Sequence, residues 1–293
     1  MLLILFTAWW IPGFVLIDRL SLKKIRLLPL IGFFILCVVL FIAFFADFLA
    51  PFPISQIDVA RQLEGPSSLH WLGTDENGKD VLSLLLHGTR VACLVGISTV
   101  AFCSILGTTV GCISGYFGGW VDEVIMRLTE TLMAFPGILL AILVIFVTQE
   151  PSILAVIGAL SITGWAGYAR LVRAQVLVER EREYVEAAKA LGFGDARIMY
   201  REIIPNILAP VIVQATFGVA GAILAEASLS FLGLGPQNAP SWGALLDQGA
   251  SYFLLTPHLA MFPGLAIMFT VLGINFLGDG LRDWLDPRQL SNS

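Results

Sequence analysis

The chain alternates long stretches free of Asp, Glu, Lys and Arg with short charged ones. The uncharged stretches are 27–46, 91–121, 131–149, 151–169, 203–225 and 248–278. A helix needs about 20 mainly apolar residues to cross a bilayer, so each stretch predicts a span. The last is trimmed to 259–280, because "SYFLLTPH" before it reads as loop or interface. A further uncharged stretch, 227–246, contains "GLGPQNAPSWG". Its Gly and Pro residues interrupt a lipid-exposed helix too often, which predicts a loop or re-entrant segment. The fold class is all-α, a polytopic membrane protein with six spans.

Orientation follows from the basic residues. With 18–26 cytoplasmic and the spans alternating, 14 of the 17 Lys and Arg lie inside, and Arg61, Lys79 and Arg90 lie outside. Basic residues gather on the cytoplasmic side of membrane proteins, so the reverse orientation is excluded. Residues 170–202 are then cytoplasmic, 47–90 form the largest outer loop, and the C-terminus is cytoplasmic. "MLLILFTAWWIPGFVLI", residues 1–17, has neither the positive n-region nor the cleavage site of a signal peptide. It reads either as a short extra span or, given Pro12-Gly13, as a broken or interfacial helix. The predicted organisation is a hydrophobic segment with a basic linker (1–26), a first span with its external loop (27–90), and a core domain (91–288).

Composition agrees with this class. Hydrophobic residues make up 57% and charged residues 13%, with a mean hydropathy of +0.85. Soluble domains carry about 25% charged residues; half that cannot cover a water-soluble globule of this size. The net charge of −5 does not indicate nucleic acid as a partner. Cys37, Cys93, Cys103 and Cys112 all lie in apolar runs without metal-site spacing, and read as small packing residues.

Chemical motifs are few. Gly107, Gly111, Gly115 and Gly119 recur every fourth residue and predict a face for close helix packing. "GTDENGKD", residues 73–80, nearly matches a phosphate-binding loop. However, Asp80 stands where a Ser or Thr should hold Mg²⁺, and no buried strand precedes it. His70, His87 and His258 read as scattered interfacial polar residues, and no catalytic or metal-binding constellation is found. Glu130 reads as an anchor at the inner start of the third span. Glu226, in "AILAEASLSFLG", is a carboxylate inside a span, costly unless paired or facing water. It predicts either a residue of a polar path or a pairing contact with another subunit.

The segment "YVEAAKALGFGDARIMYREIIPNIL", 184–208, is helical, charged and alanine-rich. Glu186, Ala187, Ala188, Ala190 and Leu191 form a compact face. Gly192 and Gly194 end the helix, a second short helix starts at Asp195, and Pro205 leads into the fifth span. With few large apolar residues to anchor it to the membrane, the segment reads as a knob that docks in another protein's groove. An ordinary cytoplasmic loop is the alternative.

"EAAKALG", followed thirteen residues after Gly192 by Pro205, resembles the coupling loop of ABC importer permeases. "HWLGTDENGKDVLSLLLHGTR", "GYFGGWVDEVIMRLTETLMAFP", "SLSFLGLGPQNAPSWGALL" and "FPGLAIMFTVLGINFLGDGLRDWLDPR" are similar to the C-type permease subunit of dipeptide, oligopeptide and nickel importers. Glu202, Ile204 and Lys79 depart mildly from that pattern. The resemblance covers about residues 27–288 and implies a type I importer transmembrane domain in a bacterial inner membrane. It implies a homologous B-type permease as partner, two cytoplasmic ATPases that bind ATP and Mg²⁺, and an extracytoplasmic binding protein. Glu186, Ala187, Ala188, Gly192 and Pro205, within 176–205, would couple to the ATPases, while this chain binds no cofactor. Peptides are the expected substrate; nickel, glutathione or another small solute is the alternative. An intramembrane enzyme and a structural scaffold are the alternatives from other classes.

Overall fold

The computed structural model describes residues 11–149 and 151–285, with side-chain surroundings described from residue 27 onward. Residues 1–10 and the C-terminal residues from 286, Arg288 included, lie outside them. The described chain is helical, without a strand beyond one isolated antiparallel bridge between Thr74 and Asp80.

Helix α1 (Ile11–Leu49) is 39 residues long, roughly 58 Å at 1.5 Å per residue. That exceeds the ~30 Å hydrocarbon core of a bilayer, and the apolar crossing part is Leu27–Leu49. From Ile11 the backbone is helical across residues 26 and 27; the expectation for residues 1–17 falls largely on residues 1–10, outside the described ones. Helix α2 (Val81–Phe117) starts at Val81, ten residues before its uncharged stretch, because the Asp80 carboxylate accepts the Ser83 N–H and caps it. The loop at this end is therefore 50–80 rather than 47–90.

The third apolar stretch is not one helix. Helix α3 (Gly119–Ala134) and helix α4 (Gly137–Thr148) meet at 86°. Phe135 precedes Pro136 and is driven into an extended conformation (φ −89°, ψ 138°), as a residue before proline must be. Helix α5 (Ile153–Glu179), the short α6 (Glu183–Ala190) and the three-residue α7 (Asp195–Arg197) follow. A π-helical turn, Ile198–Ile203, runs on into α8 (Ile204–Phe231). The Ile204 N–H bonds the carbonyl of Met199, five residues back. The adjoining Pro205 has no N–H, and its ring crowds the carbonyl four residues earlier, which the wider turn relieves. Helix α9 (Trp242–Ser251) forms within the Gly/Pro-broken region, capped by the Ser241 hydroxyl on the Ala244 N–H, and α10 (His258–Leu285) closes the chain. Among the described residues five helices are long and apolar enough to cross a membrane, and the crossings number six if the bent α3–α4 pair is one span.

The bundle is built on α2. Gly107 lies so close to α5 that a Cβ there would sit 2.5 Å from Tyr168 Cβ and 2.6 Å from the Trp165 carbonyl. Gly111 meets the backbone of Ala169, and Gly115 approaches Val176. Gly119 leaves this face: it opens α3 with φ +54° and has nothing near it. Gly32 against Gly273 brings α1 equally close to α10. Cys93, Cys103 and Cys112 are buried in this packing, whereas Cys37 is exposed on α1.

Candidate functional site

Helix α6, the turn at Gly192 and α7 form a helix–turn–helix at the end of the bundle where α2 and α5 finish. Glu183 and Glu186 occupy the first turn of α6 and Lys189 the last, each the sign that the helix dipole favours. Gly192 adopts φ +78° with open space around it, so the turn needs its backbone freedom rather than its small size. Gly194 begins α7, and Pro205 sits in the first turn of α8.

The compact face of Glu186, Ala187, Ala188, Ala190 and Leu191 does not exist as one surface. Val185 and Ala188 turn inward and join a buried cluster with Cys112, Val172, Val176, Ile198 and Ile203. Glu186, Ala187, Gly192 and Pro205 are exposed. Leu191 is 73% exposed at the tip, an apolar side chain presented to whatever meets this end. The anchor absent from a linear reading is thus the interior of the bundle, not the membrane surface.

Polar side chains fix the helix–turn–helix on two sides. The Tyr116 hydroxyl, at the end of α2, donates to Asp195 Oδ1 at 2.7 Å, and Lys189 Nζ lies 5.5 Å from the Tyr116 ring centroid. On the other side the Tyr184 hydroxyl donates to Glu179 Oε2 at 2.9 Å, and Asn206 Nδ2 donates to the Glu202 carbonyl at 2.7 Å. Burial, then the Glu179 carboxylate, holds the Tyr184 phenol above its ordinary pKa. Nearby, Arg173 pairs with both oxygens of Asp122, at 2.5 and 2.6 Å, and the Ser114 hydroxyl donates to Asp122 Oδ1. This network ties α3 to α2 and α5. A recess of about 430 Å³ beside it is lined by Glu130, Arg170 and Arg173 among others; Glu130 itself is exposed and 3.9 Å from Arg127.

At the opposite end, "GTDENGKD" is a structural turn. The Asp75 carboxylate accepts the N–H groups of Asn77 and Lys79, both at 2.8 Å, and Gly73 and Gly78 have positive φ. Asp80 both caps α2 and receives His70 Nδ1 at 3.0 Å, with His70 buried rather than interfacial. His87 bonds Asp47, which also pairs with Arg90. Above these lies an open cleft of about 480 Å³, lined by Asp75, Glu76, Lys79, Ser230, Asp247 and Gln248 among others. Trp242 fixes α9 to α2 by donating its Nε1–H to the Leu85 carbonyl at 3.0 Å.

Glu226, in α8, is 1% exposed within this chain. The Ser230 hydroxyl, at the cleft, donates to its Oε1 at 2.6 Å, and its Oε2 has no hydrogen-bonding partner among the described residues. Among those residues no group of three or more His, Cys, Asp or Glu is arranged for a metal ion.

The described residues thus combine apolar helices long enough to span a membrane with an exposed helix–turn–helix at one end. The chain belongs to the family described as binding-protein-dependent transport system inner membrane component, whose profile matches residues 107–291. It is 44% identical over 259 residues to the glutathione transport system permease protein GsiD of Pectobacterium atrosepticum, covering 88% of this chain and 85% of that one. It is 42% identical over 272 residues to the dipeptide transport system permease protein DppC of Alkalihalophilus pseudofirmus, covering 92% and 89%. Its fold matches a chain of the MetNI methionine ABC transporter, solved in inward-facing form, with a TM-score of 0.57 at 19% identity, over 69% of this chain and 96% of that one. The chain is therefore a multi-pass permease subunit of an ABC importer in the inner membrane, with the all-α fold of that class.

Proposed function

We propose that this subunit forms half of the translocation path for short peptides, a class that includes glutathione, and that residues 176–205 couple it to cytoplasmic ATPases. The helix–turn–helix carries the reading: it is bound into its own bundle through Val185 and Ala188, while Glu186, Ala187, Leu191 and Gly192 stand free. A rigid projection with an apolar tip and a flanking carboxylate suits a groove on a partner protein. The end that bears it holds Arg180, Arg182, Lys189, Arg197 and Arg201, which favours the cytoplasm; alternation of the spans would put the C-terminus on the same side. The nucleotide chemistry, ATP with Mg²⁺, belongs to two ATPase partners. A homologous B-type permease closes the path, and an extracytoplasmic binding protein delivers substrate to the cleft end. The similarity to glutathione and dipeptide permeases favours those substrates over nickel.

Sidedness is tested by cysteine labelling of intact cells at Ser67→Cys and Glu183→Cys, on a background freed of the native cysteines. The first should react from outside and the second only after permeabilisation; reaction of both from outside overturns the topology. Substrate and coupling are tested in proteoliposomes holding the whole importer and its binding protein. ATP-dependent uptake of labelled dipeptide or glutathione is expected, and uptake of nickel alone overturns the peptide assignment. Gly192→Leu should lower uptake per ATP hydrolysed, because leucine at φ +78° is strained by roughly 1 kcal/mol or more.

A further inference from the structure

We infer that Tyr116 is a positioning residue for coupling: it clasps both arms of the helix–turn–helix and keeps them in register with α2. The inference rests on the coupling role proposed for residues 176–205 and adds the part that would carry their movement into the membrane.

Lys189 lies before the Gly192 turn and Asp195 after it. Tyr116 meets both, with its hydroxyl on Asp195 at 2.7 Å and its ring 5.5 Å from the Lys189 ammonium. The two contacts use different parts of one side chain, and a charged partner strengthens each. Opening the turn, or sliding it along the end of α2, breaks at least one of them. The ring is held in place by an edge-on contact with Phe117, 5.3 Å between centroids, and by packing on the cluster that contains Val185 and Ala188. The Tyr184 contacts opposite it join α6 to α5 and α8. Across the turn, the Gly192 and Phe193 N–H groups bond the Lys189 and Ala188 carbonyls at 2.9 and 3.1 Å. Those bonds close the turn locally, and Tyr116 adds a side-chain link from both arms to the end of α2.

The helix that carries the clasp is suited to transmit a displacement. Gly107, Gly111 and Gly115 seat α2 directly on the α5 backbone. Its far end is fixed by the Asp80 cap and by Trp242 on the Leu85 carbonyl. Packed helices move as units rather than bending continuously. A push on the helix–turn–helix therefore reaches the cleft end along α2, provided that Tyr116 holds.

The test measures ATP hydrolysed and substrate taken up by the reconstituted importer, with assembly followed by size exclusion. Tyr116→Phe keeps the ring and removes the hydroxyl; it should lower uptake per ATP by roughly threefold or more, with assembly unchanged, as loss of a hydrogen bond to a charged acceptor implies. Asp195→Ala should give the same loss, and the double variant no more than either single one, since the residues share one bond. Wild-type coupling in Tyr116→Phe, with Gly192→Leu uncoupled, overturns the clasp and leaves the coupling segment standing. Wild-type coupling in both overturns both. If Tyr116→Phe does not assemble, Asp195→Ala decides, because it leaves α2 untouched: reduced coupling supports the clasp and unchanged coupling overturns it.

Discussion

The seam between α2 and α5 and the helix α4 are both apolar, yet the protein uses them in opposite ways. The seam buries Val91, Val95, Val100, Ala166, Ala169 and Val172 within this chain, with three glycines bringing the backbones together. Helix α4, "GILLAILVIFVT", is wholly apolar but for Thr148, and among its residues only Ala141 and Ile145 are buried. Phe146 and Val147 are more than 70% exposed. In lipid, hydrophobicity gives no drive toward the protein interior, because the solvent is equally oily; small residues that let backbones approach decide what packs. Apolar sequence therefore marks the membrane, and glycine spacing marks the core. The exposed face of α4 is left for lipid or for another subunit.

The sharpest way to break this comparison is Gly111→Leu. A side chain there strikes the Ala169 backbone, which cannot yield as a rotamer would, so the cost should reach about 3 kcal/mol or more. The expected outcome is loss of the monodisperse protein in detergent; normal yield would mean that α2 and α5 separate easily. Trp242→Ala comes next. It empties a site 2% exposed and removes one of the donors to the Leu85 carbonyl, which keeps the Thr89 hydroxyl, costing roughly 3 kcal/mol. A lowered melting temperature of the purified protein should report it.

Asp122→Ala probes the tether between the seam and α3, which leads into α4. It leaves Arg173 and the Ser114 hydroxyl without their shared acceptor, and the half-buried ion pair limits the loss to about 1–2 kcal/mol. Proteolysis between α3 and α4 should quicken while the melting temperature changes little. Phe146→Ala should be the mildest, below about 0.5 kcal/mol in the isolated subunit, since its ring is 72% exposed. A larger effect that appears only in the assembled importer would place α4 against the partner permease.

The coupling segment shows how much of a site can be read along a chain. Gly192 at positive φ, the short helix before it and Pro205 at the start of α8 were legible, because caps, turns and proline act within a few residues. The inward turn of Val185 and Ala188 was not legible. Over an eight-residue helix whose small apolar residues, Val185, Ala187, Ala188 and Ala190, lie on more than one side, periodicity does not distinguish a buried face from an exposed one. Tyr116 gave no local signal at all, since its partner Asp195 lies 79 residues away. His70 on Asp80 could have been suspected from an Asp placed to cap α2, but its burial depends on how the loop 50–80 folds over that helix end.

By itself the sequence determined the membrane class, the apolar stretches that supply five or six crossings, the glycine face of α2, and the turn at Gly192. Each follows from composition or from short-range sterics. Only the tertiary structure decided that the third crossing bends at Pro136, that Gly119 leaves the glycine face, that Glu226 is enclosed beneath Ser230, and which apolar helix is core and which is surface. In a chain where nearly every span is hydrophobic, burial is set by which backbones can approach one another, and that depends on pairs of residues far apart in sequence.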